Sequence, residues 1–378
     1  YGEKPDRVVA GYWEPYSWAF DEDIVSPLQH REPLLAFQAA RIALVDTQIG
    51  RFGDKVVYES RQTDPLLYGT IGDPIGNIAQ PKTDNVGRMQ QYTNTLETEL
   101  RHARDLGLNL FANFGASACY RGTPLQADIS KQHPEWVRGD QLRFEVPEVR
   151  QYVLGLFREA LEIGAPGISI DFCRYPECLD SAETGNVFLR ELKLLRDEFA
   201  QRRGAAVPLL VRFPGTGVRT YEHFDYATWI KEQLVDFLAP SNIQGRHMHI
   251  DMGPYLAAVK DAPVKLLPCI DALSWGPEMP QMFLWRAKEL YDAYTDTMVR
   301  AEACGFDWVG CNEHHFSPYG LMSNCNLMGA QLAHRTKTIG LATSWAAART
   351  VSSTLCFFPS ARWRTEFSII TTAPSTTM

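Results

Sequence analysis

Apolar residues in this chain gather into short runs separated by longer stretches of helical period, and the two kinds of segment alternate. Arg41–Asp46 and Val56–Glu59 read as strands, and the Gly-, Pro- and Asp-rich stretch Asp64–Asp84 as a long loop. A helix is predicted over Val86–Leu106, stopped by Gly107. The alternation then becomes regular. Strands are predicted at Leu108–Asn113, Gly167–Asp171, Val207–Phe213, Val235–Pro240, Val264–Ile270 and Phe306–Cys311. Helices are predicted at Pro147–Ile163, Ala182–Arg203, Tyr226–Leu234, Tyr255–Lys260 and Met282–Cys304. Pro147 suits a first helical turn and Gly164 a C-terminal cap.

Eight strand runs with helices or loops between them predict parallel strands joined by right-handed crossovers, and hence an α/β fold of the (β/α)8 TIM-barrel type. The alternative is an open doubly wound sheet. No Gly-x-Gly-x-x-Gly follows any strand run, which argues against its dinucleotide-binding form. Asn326–Ile339 reads as one more helix and the start of a strand. Residues 342–378 lack a clean period, are rich in Ser, Thr, Ala and Arg, and are expected to form an irregular, disordered tail.

Composition narrows the partners. With 378 residues, 45% hydrophobic and 22% charged, the chain has the balance of a globular protein able to bury a large core. The net charge of −8, without a basic block, excludes nucleic acid and anionic membrane surfaces as expected partners. No apolar run is long enough to span a bilayer. The chain opens on Tyr1, which leaves room for an upstream segment; a cytoplasmic setting is the favoured expectation, and oligomeric state is not legible. Eight scattered cysteines, none in a Cys-x-x-Cys pair, read as reduced and mostly buried thiols rather than a zinc site.

Chemistry in a parallel barrel gathers where the strands end. The residues ending the predicted runs are Asp46, Glu59, Asn113, Asp171, Arg212, Ser241 with Asn242, and Asp271, with Glu278 in the loop beyond. Several carboxylates at one mouth suit glycosidic-bond cleavage, which needs a proton donor and a second carboxylate. Asp171 is the leading candidate, with Arg174 close enough in sequence to hold it ionised; the plain alternative is an ion pair or a helix cap. Asp271 and Glu278 compete for the proton-donor role. Trp13, Trp18, Tyr120, Trp136, Tyr175 and Trp275 lie in predicted loops and would offer flat faces to pyranose rings.

Asn113-Phe-Gly-Ala-Ser117, His133-Pro-Glu-Trp136-Val, Glu145-Val-Pro-Glu-Val149 and Asp171-Phe-Cys-Arg-Tyr-Pro176 occur in that order. Together they resemble the bacterial glycoside-hydrolase-like barrel family over residues 1–292. The resemblance implies a barrel, hydrolysis of a small-molecule or oligosaccharide substrate without a cofactor, and a functional acid at Asp171 beside Arg174 and Tyr175. Asn113, Trp136, Arg212, Asn242 and Trp275 complete the expected substrate-binding set.

A second resemblance begins near Tyr294. Ala301-Glu-Ala-Cys-Gly-Phe-Asp307, Asn312-Glu-His-His-Phe316, Asn324-Cys-Asn-Leu-Met328 and Ala333-His-Arg-Thr-Lys-Thr338 resemble the luciferase-like flavin monooxygenases over residues 293–341. It implies flavin mononucleotide (FMN) as cofactor with His314 and His315 near it, although most of such an enzyme is missing. Glu-His-His has the wrong spacing for a zinc helix, and no metal is expected. Because both families follow this helix with a strand, Phe306–Cys311 is expected to supply the last strand of the first barrel. Three classes of function follow: a carbohydrate-active hydrolase, an FMN-dependent monooxygenase or oxidoreductase, and a non-catalytic fusion product.

Overall fold

Most of the strands predicted before residue 275 are too apolar to sit at a water surface, and in the computed structural model of the chain they pair side by side in one sheet. The structure describes residues 10–20, 22–39, 42, 44–63, 80–116, 119–123, 125–173, 176–215, 221–241, 250–269, 292, 295–304, 308–314, 331–338, 340–346 and 356–358. They belong to two units, Tyr1–Trp275 and Gly276–Met378.

The first unit opens with β1 (Ala10–Trp13), α1 (Pro15–Ala19), α2 (Arg31–Ala39), β2 (Leu44–Arg51), α3 (Gln80–Tyr92), α4 (Thr95–Leu106) and β3 (Asn109–Gly115). It continues through α5 (Asp128–Gln132), the small antiparallel pair β4 (Val137–Arg138) and β5 (Gln141–Leu142), α6 (Pro147–Ile163), β6 (Gly167–Asp171) and α7 (Ala182–Arg203). It ends with β7 (Leu209–Pro214), α8 (Tyr226–Lys231), β8 (Phe237–Ser241), α9 (Gly253–Val259) and β9 (Lys265–Leu266). Seven strands form one sheet in the order β1-β2-β3-β6-β7-β8-β9, and every neighbouring pair is parallel. Strands that pair in chain order with helices between them are the TIM-barrel arrangement.

The helices begin and end where local chemistry says they should. α6 starts on Pro147, which lacks the N–H that a first turn cannot use, and stops at Gly164 in the left-handed region at φ 118°. α7 starts where the Ser181 hydroxyl accepts the Thr184 N–H at 3.2 Å.

Period-two alternation divides each strand into two faces. Val45, Ile49, Leu110, Phe114, Ile168, Ile170, Val211, Phe213 and Leu238 point one way, into the main core shared with the helices. There Phe52 stacks on Phe114 at 5.3 Å between centroids and meets Phe157 edge-on at 5.4 Å. Each such buried ring contributes about 1.5–3 kcal/mol. On the other face, Leu44, Phe111, Leu210 and Ala239 form a separate buried apolar layer. Gly167 belongs to this layer by register with Phe111, and a Cβ there would lie 2.4 Å from the Phe111 ring. The Phe111 ring therefore occupies the space that a side chain at residue 167 would need.

Several elements differ from expectation. Val56–Glu59 is not a strand. Val56, Val57 and Tyr58 are buried because they pack into the main core, while Glu59 is exposed. Gly50 accommodates this packing, since a Cβ on it would meet Val56 at 2.7 Å. The helix predicted over Val86–Leu106 is two helices, because the Asn94 side chain caps a new start by accepting the Glu97 N–H at 3.4 Å. β1 was hidden in an aromatic stretch whose strand burial alternates only between exposed and half-buried.

The second unit contains β10 (Trp308–His314), β11 (Gly340–Ala346) and β12 (Cys356–Phe358) in a sheet of its own. The expectation that Phe306–Cys311 supplies the last strand of the barrel is therefore corrected. β10 pairs in parallel with β11 from Trp308↔Gly340 to His314↔Ala346, with residues 331–335 helical between them. A local strand–helix–strand crossover outcompetes a pairing with a distant strand. β11 and β12 also place strands within the stretch expected to be irregular, and residues 359–378 lie outside the described residues. No helix among the described residues is long and apolar enough to cross a membrane.

Candidate active site

Toward their carboxyl ends the inward faces of the strands turn from apolar to polar. The same alternation that buries Leu44, Phe111, Gly167, Leu210 and Ala239 brings Asp46 and Gln48 of β2, Asn113 of β3, Ser169 and Asp171 of β6, Arg212 of β7 and Ser241 of β8 to one side of the sheet. All are buried except Arg212, which is half-buried.

Two linked groups form this layer. In the first, the Asn113 Nδ2 donates to Asp46 Oδ2 at 2.8 Å and to Ser169 Oγ at 2.9 Å, and Ser169 Oγ donates to the same Asp46 oxygen at 3.3 Å. Asp46 Oδ1 and Asn113 Oδ1 are buried without a hydrogen-bond partner among the described residues. In the second, Arg212 Nη1 donates to Asp171 Oδ2 at 2.8 Å, and the Cys173 N–H donates to Asp171 Oδ1 at 2.8 Å. The Arg212 Nη2 and Nε reach Ser241 Oγ at 3.1 and 3.3 Å.

The two carboxyls have different partners. Burial pushes the Asp46 carboxyl up to about 7; the bonds from Ser169 and Asn113 act against the rise, and the negative charge of Asp171 adds to it. Asp171 carries a guanidinium partner and a backbone donor, each at 2.8 Å. A carboxylate has about four lone-pair positions, so two on Asp171 are left for a ligand.

A third group flanks β2. The strand register shifts between Gln48 and Gly50, and this bulge turns Arg51 to the side of Gln48. Gly115 leaves the space, since a Cβ there would lie 2.9 Å from the Arg51 side chain. The Arg51 guanidinium lies over the rings of Tyr16 and Tyr120 at 5.2 and 5.8 Å, bonds to the Tyr16 hydroxyl and sits 3.7 Å from Glu14. Glu14 accepts from Tyr12 at 2.9 Å, Tyr16 at 3.0 Å and Ser17 at 2.6 Å, and Tyr16 also reaches Gln48 at 2.5 Å. Burial acts to raise the Glu14 carboxyl, but Arg51 and these hydroxyls more than offset it and hold it below the usual range. Behind them Asp54 accepts the Tyr120 N–H at 2.9 Å, and burial pushes its own carboxyl up to about 7.

The sequence reading thus located Asn113, Asp171 and Arg212, which the fold brings to one face, and listed Asp46 and Ser241 as strand ends. It gave Asp171 a cation at Arg174; among the described residues that cation is Arg212. Glu59 ends no strand and does not join the layer. Trp136 stacks on His133 at 3.7 Å in a separate cavity that none of the polar-layer residues lines. Arg174, Tyr175, Asn242, Asp271, Trp275, Glu278 and His315 lie outside the described residues, and His314 is the last position of β10. Sequence reasoning missed Ser169, Gln48, Arg51, Tyr16 and Glu14. Ser169 was accessible from its two-residue spacing to Asp171, whereas Arg51 was not, because the bulge reverses the parity of β2. Cys119, Cys173, Cys178, Cys269 and Cys304 are unpaired thiols, and the first three are buried. No cluster of three or more metal-binding side chains occurs among the described residues.

No protein-family model and no curated protein sequence matches the chain. Solved structures do align with it. A maltogenic α-amylase from Thermotoga neapolitana aligns over 89% of this chain and 67% of its own, with 11% identity and a TM-score of 0.42. Dispersin B aligns over 76% and 83%, with 12% identity and a TM-score of 0.40. An N-acetylglucosaminidase of glycoside hydrolase family 18 from Paenibacillus barengoltzii aligns over 63% of this chain and about half of its own (53%), with 14% identity and a TM-score of 0.35. At these scores the likenesses carry no argument about activity, which has to come from the residues themselves.

Proposed function

We propose that the chain is a glycosidase-type hydrolase whose polar layer cleaves a glycosidic bond with two carboxyl groups. Asp46 is the proton donor and Asp171 the second carboxylate. The observation that carries the reading is that one polar layer holds two acids in different settings: burial pushes the Asp46 carboxyl up to about 7, and Asp171 accepts from the Arg212 guanidinium at 2.8 Å. Glycosidic-bond cleavage uses such a pair, one carboxyl as proton donor and a second carboxylate opposite it.

The chemistry follows from these positions. Protonated Asp46 carries a donor for the leaving-group oxygen, and its Oδ1 makes no hydrogen bond among the described residues. Asn113 and Ser169 fix the other oxygen and so the plane of the carboxyl. Asp171 faces developing positive charge at the anomeric carbon, either directly or through a water. The Arg212 contact at 2.8 Å fixes the position of the Asp171 carboxylate.

The test is hydrolysis of a panel of aryl glycosides and soluble oligosaccharides by the full chain and by Asp46→Asn and Asp171→Asn. Loss of about 10²–10⁴-fold in kcat in Asp46→Asn, restored in part by aryl leaving groups that need no proton, supports the assignment. An unchanged alkaline limb of the pH–rate profile in that variant would transfer the donor role to Asp271 or Glu278. The competing reading keeps the luciferase-like resemblance: an isolated protein that is yellow, or that quenches added FMN, would favour an oxidoreductase.

A further inference from the structure

The loops that follow β2 and β3 border a solvent-open cavity of about 590 Å³, between Ser60–Thr63, α5 with its following turn, and the first turns of α6. That volume is in the range of small-ligand sites. We propose that this cavity is a glycan-binding site for an uncharged stretch of sugar chain, separate from the Asp46–Asp171 layer.

Three features of the wall define the ligand. The first is charge. Arg61 is engaged by Glu162 and by Glu159 at 3.5 Å, Asp128 by Lys131 at 3.6 Å, and His133 by Glu135 at 3.1 Å, so the charges at the wall are already paired. The second is the free hydrogen-bonding inventory. Gln62, Gln132 and Gln151 line the cavity with exposed side chains, and each amide both donates and accepts. The buried hydroxyls of Thr63 and Tyr152 lie within reach of one another at the wall. The third is a flat face, because the Trp136 indole and the His133 ring stack at 3.7 Å with planes 9° apart. Amides, hydroxyls and a stacked ring without net charge match the hydroxyl-rich edge and apolar face of a neutral pyranose.

The backbone around the cavity is built to hold this wall. Gly155 lies within α6, where glycine costs about 1 kcal/mol relative to alanine, and a Cβ there would lie 2.8 Å from the Gln62 amide. Glu159, one turn further on, accepts the Ser60 hydroxyl and the Arg61 N–H at 2.7 Å each. Through Glu159 the helix clamps the loop that carries Gln62.

Affinity electrophoresis of the full chain through native gels containing soluble starch, hydroxyethyl cellulose or glycol chitin tests the site without depending on hydrolysis. Retardation is expected in at least one gel. It should persist in Asp46→Asn, and weaken by about tenfold or more in Trp136→Ala and in Gln151→Ala. Gln151 is exposed, so its variant guards against misfolding of the Trp136 change. Migration unaffected by all three polymers, or equal retardation of wild type and both cavity variants, would overturn the proposal. Because binding is read directly, an inactive but retarded protein counts against the hydrolase reading alone.

Discussion

Replacing Asp46 by asparagine should change how stability depends on pH. The Asp46 carboxyl titrates near 7 in the folded chain against an ordinary value of 3.8. Between those values the folded state keeps a proton that the unfolded state has lost, so folding takes up a proton and stability falls as pH rises. The slope is about 1.4 kcal/mol per pH unit. The contribution is fully present below pH 3.8, declines through the window, and is lost above about 7, a total of at most about 4 kcal/mol. The Asp46→Asn amide carries no proton, yet its oxygen can still accept from Asn113 and Ser169. The variant should therefore match the wild type near pH 4 and exceed it by up to about 4 kcal/mol at pH 8. Urea denaturation at half-unit steps across this range gives the difference curve. Asp54, also pushed up to about 7, is present in both proteins and cancels in the difference. A difference independent of pH would show that Asp46 ionises normally when folded, and the proton-donor assignment would fall with it.

Other substitutions test other parts of the argument. Gly167→Ala places a Cβ 2.4 Å from the Phe111 ring and should cost about 1–3 kcal/mol in a thermal melt. Arg212→Met strands the buried Asp171 charge and should cost about 3–5 kcal/mol at pH 7. A loss below about 1 kcal/mol would mean that the pair contributes no more than an exposed ion pair does. Ser181→Ala removes the α7 cap and should lower stability by about 1 kcal/mol. Glu159→Ala leaves the Ser60 hydroxyl and the Arg61 N–H without their acceptor and should cost about 2–3 kcal/mol, with faster hydrogen exchange at the Arg61 amide.

The regular middle of the chain was legible because local and long-range preferences agree there. The bounds of α6, β6 and α7 are those predicted, since Pro147, Gly164, Ser181 and Gly204 mark ends that packing has no reason to move. Val56–Glu59 was misread because an apolar run reports burial, not ladder pairing, and these residues are buried without becoming a strand. The last strand was misassigned because strand–helix phase says nothing about which edge a strand will join, and β10 takes β11. At the site, Asp171 and Arg212 stood at strand ends where a barrel concentrates chemistry. Asp46 stood there too, but its role depends on burial and on the nearness of Asp171, neither of which a strand-end position reports. Arg51 depends on one inserted residue in β2, which no period-two pattern anticipates.

The apolar layer of Leu44, Phe111, Leu210 and Ala239 also constrains proton traffic. It lies just beneath Asp46 in the strand direction, and it holds no group that could relay a proton. Asp46 therefore exchanges its proton with solvent on the mouth side, not through the barrel floor. A substrate seated over the mouth would stand in that path, and the proton could then leave most directly onto the molecule that displaced the water. Re-protonation would wait for product to depart, so the rate at which Asp46 exchanges with solvent should report on occupancy of the mouth.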